Sequence, residues 1–259
     1  MAVIFGKCNR HAFIQVITPT KSEYIEFDKS LYSERLKPFS VRIGANWADE
    51  SGMFIDISGK KLQVKCELEF GKFERPRGDA MGVFRFLPFM QCRHRVISMG
   101  HLGQIVGGIR GELVYIEGDL GRGFPKKYLW TQAMNDEISI VAMCAVIPYL
   151  GLRFWGTICI IHFGGREYRI ATYRGARVRT FLRDRLTVTQ GHGRRKMVFE
   201  VYCPDVDKNM QTLYAPTKGG MGRETHESIS TTVRYKLCVG GREVFDVECP
   251  TAAFEFGGL

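Results

Sequence analysis

The sequence predicts an all-β protein whose antiparallel strands pack as sandwich or barrel modules. Three observations support this class. Segments of six to nine residues, rich in β-branched and aromatic side chains, alternate between apolar and polar positions, which is the period of a half-buried strand. Gly, Pro, Asp or Asn separate these segments. No long stretch has the period of an amphipathic helix, and about a dozen closely spaced strands are typical of a sandwich or barrel.

Twelve segments of the sequence are predicted to be strands of this all-β fold. In chain order they are AFIQVIT, FSVRIGA, GMFIDIS, LQVKCELEF, ELVYIEGD, YLWTQAM, TICIIHF, EYRIATY, RLTVTQ, MVFEVYC, TTVRYKLCV and EVFDVEC. Ser-Gly in DISGKKLQV and Gly-Gly in HFGGREYRI predict hairpin turns. CVGGREVF repeats the second pattern, which indicates two similar sheets. We therefore predict two β modules, residues 1–119 and 120–259, with a single large domain as the alternative.

Three regions lack a clear strand period. Residues 87–108 alternate less cleanly, GRETHES at 222–228 predicts a loop or the start of a short helix, and the arginine-rich residues 183–196 predict an exposed connection. The longest apolar run, 138–151, contains Pro148 and is shorter than the ~20 residues that span a bilayer. The first residues lack the apolar segment of a secretory signal. We expect a cytoplasmic protein, with peripheral membrane association as an option.

Cysteine and histidine positions argue against disulfides and metals. The eight cysteines are scattered without a CxxC pair, so we expect reduced, mostly buried thiols. The six histidines show no metal-ligand spacing on one face, so we expect no metal. Walker A, GxGxxG, HExxH and GxSxG motifs are absent from the sequence, which removes the usual support for nucleotide hydrolysis, Rossmann cofactors, zinc proteolysis and α/β-hydrolase chemistry.

Positive charge is concentrated in one segment. The chain carries a formal charge of +10, and residues 166–196 hold ten basic residues against two acids. Such a patch attracts nucleic acid or anionic lipid headgroups, or it is simply solvated. The aromatic residues of this segment form no RNP-type platform, so we expect no specific nucleic-acid partner. Peripheral contact of Arg166–Lys196 with an anionic membrane and a nucleic-acid-binding barrel remain alternatives.

Two carboxylates at alternate positions mark the candidate site in YIEGDLGRGFPKKYLWTQAMN, residues 115–135. Alternation places Tyr115, Glu117 and Asp119 on one strand face, while the opposite face, which includes Leu120, is apolar and suited to a core. The structural alternative is that Asp119 caps the following turn and that Glu117 pairs with nearby bases. Those bases are Arg122, Lys126 and Lys127.

Five blocks of the sequence, in order, resemble the tocopherol cyclase-like family. They are LPFMQCRHRVISMGH, YIEGDLGRGFPKKYLWTQ, IPYLGLRFWG, GGREYRIATYRGA and LYAPTKGGMGRETHES. The resemblance implies a lipocalin-like architecture, related to carotenoid hydratases and lipocalin-like Diels-Alderases, with a hydrophobic pocket. It implies ring closure on a prenylated quinol or similar terpenoid. The family's early aromatic strand has no counterpart here, so the first module is expected to be incomplete at its start.

The resemblance and the chemistry of the residue types together indicate which residues act. We expect catalytic roles for Glu117, Asp119 and His94, and substrate contacts from Tyr115, Arg122, Phe124, Lys126, Tyr128, Trp130 and Gln132. A protonated buried carboxylic acid can protonate an alkene while a neighbouring carboxylate takes the phenol proton. This reaction is redox-neutral, so no cofactor is expected. The chain has Leu120 and Gln91 where family members carry tryptophan and an acid, which favours the rival hypothesis of a non-catalytic carrier of a hydrophobic molecule.

Overall fold

The computed structural model describes residues 1–107 and 111–258. Within them the chain forms twenty β-strands, four short 3-10 turns and no α-helix. The strands are β1 Ala2–Lys7, β2 Ala12–Ile17, β3 Ser22–Phe27, β4 Tyr32–Leu36, β5 Phe39–Ile43, β6 Asn46–Asp49, β7 Gly52–Ser58, β8 Gln63–Phe70, β9 Cys92–Ile105, β10 Gly111–Gly121, β11 Tyr128–Met134, β12 Ile138–Tyr149, β13 Leu152–Phe163, β14 Arg166–Ala171, β15 Arg177–Phe181, β16 Arg185–Gln190, β17 Met197–Tyr202, β18 Gln211–Thr217, β19 Gly220–Val239 and β20 Arg242–Gly257.

These strands form three antiparallel sheets. A three-stranded sheet has the order β1-β2-β3, and a seven-stranded sheet runs β10-β9-β8-β7-β6-β5-β4. A ten-stranded sheet runs β14-β13-β12-β11-β20-β19-β17-β16-β15, with β18 paired to β19. The last strand, β20, thus lies between β11 and β19 and pairs with both. The prediction of an all-β fold is confirmed.

Apolar side chains pack on both faces of the ten-stranded sheet. One face carries a large core whose fully buried members include Leu129, Ile140, Phe199, Tyr235 and Phe254. On the opposite face a second cluster joins the seven-stranded sheet to the ten-stranded one, and it contains Val96, Met99, Val141, Ile158 and Ile160. Tyr115 and Trp130 pack against this second cluster. The contact between the two sheets therefore positions the candidate site.

The twelve predicted segments all overlap strands, and the three predicted hairpins form. Residues 222–228 were expected as a loop or helix start, which is wrong because they lie in β19. Their hydroxyl-bearing residues Thr225 and Ser228 are buried, so polar composition hid a strand with an inward face. Residues 183–196 are likewise not a simple exposed connection, because β16 buries Leu186 and Val188 completely.

The division into residues 1–119 and 120–259 stays a prediction. The seven-stranded sheet ends at Gly121 and the ten-stranded sheet begins at Tyr128, while the three-stranded sheet packs its core with residues of β5 and β7. All eight cysteines are free. Among the described residues, none of the helical segments is long and apolar enough to cross a bilayer.

Candidate active site

Strands β9 and β10 bring the candidate acids and His94 together. Their register sets Asp119 opposite His94 and Glu117 opposite Val96, with two register shifts between Val114 and Glu117. Bulges of this kind re-aim side chains and are common beside functional sites. The polar face of β10 points inward, toward the ten-stranded sheet. The expectation for the opposite face was wrong at Leu120, which is exposed together with the other residues at the end of β10.

Glu117 is the centre of a hydrogen-bonded cluster. Its Oε2 accepts a hydrogen bond from the Tyr115 hydroxyl at 2.6 Å and one from the Trp130 indole Nε1 at 3.3 Å. The imidazole of His94 lies between the two acids, with Nε2 3.4 Å from Glu117 Oε2 and Nδ1 3.2 Å from Asp119 Oδ1. The Nδ1 atom is hydrogen-bonded to Asp119, whereas Nε2 makes an ion-pair contact with Glu117 and has no hydrogen-bond partner among the described residues.

The cluster combines a buried base with partly open acids. The His94 side chain is 4% exposed, whereas those of Glu117 and Asp119 are 25% and 30% exposed. Both acids keep some open surface, although Glu117 is surrounded by protein on most sides. Solvent can therefore reach the two carboxyl groups, while the imidazole is held by packing.

Burial and neighbouring charge shift the proton affinities of the cluster. Burial raises the pKa of Glu117, and the Asp119 carboxylate raises it further, against the opposing effects of His94 and the two hydrogen-bond donors. Burial alone would lower the pKa of His94, but the two facing carboxylates outweigh it and raise the pKa to about 9. Burial and the adjacent Glu117 hold the pKa of the Tyr115 hydroxyl well above its usual value.

A second group of acids faces the same space from the ten-stranded sheet. The sheet register aligns Trp130, Glu255 and Glu227 on β11, β20 and β19. The buried Glu255 carboxylate accepts hydrogen bonds from the hydroxyls of Tyr128 and Thr225. Burial raises the pKa of Glu255, and burial together with the Glu255 charge raises that of Glu227 well above its usual value.

The sequence reasoning missed Glu255 and Glu227. Neither lies in a segment singled out for its acids, and their partners are distant in the chain. The available signal was the apolar setting of Glu255 in TAAFEFGG, where a single charge among buried residues indicates an inward-facing acid.

The remaining predicted site residues occupy different positions. Arg122 and Lys126 are exposed, and Phe124 is half-buried with its ring edge-on to Tyr128 at 6.2 Å. Gln132 lies two residues beyond Trp130 on the same face of β11, and its Nε2 is buried without a hydrogen-bond partner in the described structure. The described contacts of Glu117 and Asp119 include none of the bases Arg122, Lys126 and Lys127.

His94, Glu117 and Asp119 also form a set of potential metal ligands. One ligand atom from each lies within 4.8 Å of the others, and imidazole with two carboxylates suits several divalent cations. A protonated imidazole between the carboxylates can neutralise the same oxygen atoms without a metal ion. The absence of a metal stays a prediction, and dialysis against a chelator followed by elemental analysis tests it.

A cavity of about 590 Å³ lies at a different end of the sheets. It is lined by charged and apolar side chains that include Arg75, His101, Met134 and Glu167. Met134 is four residues from Trp130 on β11, about 13 Å along an extended strand. This cavity is therefore separate from the cluster around Glu117.

Comparisons with known proteins do not place the chain in a family. No protein-family model and no curated protein matches the sequence. The structure is similar to that of kievitone hydratase from Nectria haematococca, with a TM-score of 0.49, 10% identity, and coverage of 99% of this chain and 87% of the other. A likeness at this level carries no conclusion about activity, so the resemblance to tocopherol cyclase-like proteins stays a prediction.

Proposed function

We propose that the protein is a redox-neutral enzyme that closes a ring on a prenylated quinol or similar terpenoid by acid-catalysed addition of a phenol oxygen to an alkene. The observation that supports this proposal is the position of His94 between the carboxyl groups of Glu117 and Asp119. Glu117 also accepts hydrogen bonds from Tyr115 and Trp130. A buried carboxyl group with a raised pKa is suited to donate a proton near neutral pH.

The proton balance follows the contacts. Glu117 gives its proton to the less substituted alkene carbon, which leaves a tertiary cation on the other carbon. The phenol oxygen attacks that cation, and its proton passes to Asp119. Asp119 then releases its proton to water and Glu117 takes one from water, because both carboxyl groups are partly exposed, while His94 stays charged between them. No electron is gained or lost, so the cycle needs no redox cofactor.

Aromatic faces beside the acid stabilise the cation. Tyr115 and Trp130 contact Glu117 through their polar atoms, so their rings lie next to the position where positive charge develops. A cation near an aromatic face gains about 0.5–2 kcal/mol, with the higher value in a desolvated site. Burying the prenyl tail contributes about 25 cal/mol per Å² of apolar surface.

Turnover of a prenylated hydroquinone tests the proposal. The purified protein is incubated with the substrate in D2O, and the product is analysed by chromatography and mass spectrometry. Cyclisation leaves the elemental composition unchanged and places one deuteron on the former alkene carbon. Loss of the general acid in Glu117→Gln should lower the rate at least ~100-fold. Glu112→Gln, on the exposed part of the same strand, is the matched control and should keep the rate.

Other results would assign a different function. Tight binding of the quinol without conversion would identify a carrier of hydrophobic molecules, the second hypothesis from the sequence. Equal loss of activity and of folded protein in Glu117→Gln would assign that residue a structural role. Retention on a polyanion that persists at moderate salt would contradict the expectation of no specific nucleic-acid partner, because simple phosphate attraction weakens as salt rises.

A further inference from the structure

Large apolar side chains are exposed on three turns of the molecule. Phe86 and Phe89 lie in the segment before β9, Leu150 and Leu152 at the turn between β12 and β13, and Leu182 after β15. Phe89, Leu150 and Leu152 are 83%, 73% and 74% exposed. We call these five residues the apolar tip. Single exposed apolar residues are ordinary on protein surfaces, but a concentration of them indicates an interaction site.

Aromatic contacts hold the three turns together. The ring of Phe84, two residues before Phe86, lies 5.8 Å from that of Phe154 on β13, close to Leu152. Trp155 on the same strand lies 4.7 Å from Phe181, the neighbour of Leu182. Phe154 and Trp155 are adjacent on β13, so the three turns lie at the same end of the ten-stranded sheet, with the Phe84 and Phe181 contacts on opposite faces of β13.

The backbone at the two most prominent turns is unfavourable for the residues it carries. Phe89 and Leu150 have φ values of 60° and 48°, in the left-handed region where bulky side chains are rare. Leu150 and Gly151 form a two-residue hairpin turn of the type that favours Asn-Gly. The corresponding turn of the β13–β14 hairpin has Gly164 and Gly165. Leu150 therefore strains the turn and gains no burial in return.

Basic side chains are interleaved with the apolar tip. The Arg85 guanidinium lies 4.4 Å from the centre of the Phe86 ring, and the Lys127 ammonium lies 5.2 Å from that of Phe181. Arg153, exposed, directly follows Leu152. Arg85 also lies 3.9 Å from Asp79, an exposed pair of little strength. A bilayer accepts apolar side chains and attracts the surrounding bases with its anionic headgroups.

We propose that the apolar tip docks on the surface of an anionic lipid bilayer, with Phe89 and Leu150 inserted among the lipids. This surface differs from the one expected from charge alone. Within Arg166–Lys196, Arg169 is buried against Glu167 at 3.0 Å, so its charge is unavailable to headgroups. Phe89 is five residues before His94, so docking places the membrane next to the strand that begins the site.

Vesicle sedimentation tests the proposal independently of any substrate. Wild-type protein is mixed with phosphatidylcholine vesicles that contain or lack phosphatidylglycerol, and the bound fraction is measured. We expect binding to the mixed vesicles and at least tenfold weaker binding of Phe89→Asn/Leu150→Asn. Asparagine tolerates positive φ, so the melting temperature of this variant should be equal to or above that of wild type. Leu36→Asn, at an exposed leucine on β4, is the control and should bind as wild type does.

Three results would overturn the proposal. They are failure of the wild type to bind mixed vesicles, equal binding by the double variant, and an equal loss in Leu36→Asn. A concentration-dependent dimer that the double variant abolishes, seen by analytical ultracentrifugation without vesicle binding, would assign the tip to a second copy of the chain.

Discussion

At the residue scale, the charge of His94 makes the stability of the fold depend on pH. Its folded pKa of about 9 lies above the usual 6.5, so its contribution to stability is complete below pH 6.5 and is lost as pH rises through 9. This difference in pKa corresponds to about 3 kcal/mol of unfolding free energy. Relative to His94→Gln, the wild-type free energy of unfolding should therefore decrease across this range, as measured by urea denaturation.

The control for His94 is an exposed histidine. His192→Gln should leave the pH dependence unchanged, and an NMR titration of the His94 ring should have its midpoint near pH 9. A midpoint near 6.5 would mean that the two carboxylates do not hold the imidazole in its charged form.

The buried Glu255 carboxylate depends on its two hydroxyl donors. Tyr128→Phe removes one donor and leaves the other, Thr225. Losing one hydrogen bond to a buried charged group costs about 1.5–3 kcal/mol, so the urea midpoint should fall by the corresponding amount. Tyr214→Phe, at an exposed tyrosine, should have little effect, and equal losses in the two variants would contradict a special role for the Tyr128 hydroxyl.

Local sequence was sufficient to predict the acids of β10 but not the second group of acids on the ten-stranded sheet. Tyr115, Glu117 and Asp119 are two residues apart on one strand, so their common face follows from strand geometry alone. Glu255 meets Tyr128 because β20 pairs with β11, more than a hundred residues away in the chain. Period and composition carry no information on such pairing, which is why Glu255 and Glu227 were missed.

At the scale of elements, period two predicts half-buried strands, whereas the short run of β2 was predicted from its β-branched and aromatic residues although all six of its residues are buried. β12 was not predicted because its twelve residues form a long apolar run that contains Pro148 and has no alternation to detect. β9 combines buried polar and apolar residues over fourteen positions, which blurs the pattern. Register within the sheets depends on contacts distant in sequence and was not predicted.

The close approach of β11 and β20 gives a prediction at this scale. A Cβ atom on Gly257 would lie 2.1 Å from the Tyr128 ring, so Gly257→Ala must displace either the ring or the strand. Overpacking of this kind costs about 1–3 kcal/mol, and thermal unfolding should show the loss. Gly118→Ala on β10 has nothing within 4 Å of the added atom and should be tolerated. Equal stability of the two variants would show that this packing is adaptable.

At the scale of the whole molecule, β20 joins two halves of the ten-stranded sheet. In the sheet order, β11 to β14 lie on one side of β20 and β19 to β15 on the other. Residues 253–257 make the pairing to β11, and they also place Phe254 in the core and Glu255 beside the site. Residues 253–257 therefore contribute both to the core and to the candidate site.

Truncation after Pro250 is expected to separate these halves. It removes the pairing of β20 to β11 and exposes the core around Leu129 and Tyr235. Because unpaired strand edges and apolar surface promote association, we expect a broad or absent urea transition and strong binding of a hydrophobic dye. Deleting β1 instead removes a strand at the edge of the small sheet whose pairing, within the described residues, is to β2 alone. That deletion should lower the midpoint while preserving a cooperative transition of the ten-stranded sheet. A sharp transition in the protein truncated after Pro250 would show that contacts between sheets are sufficient to hold the two halves together.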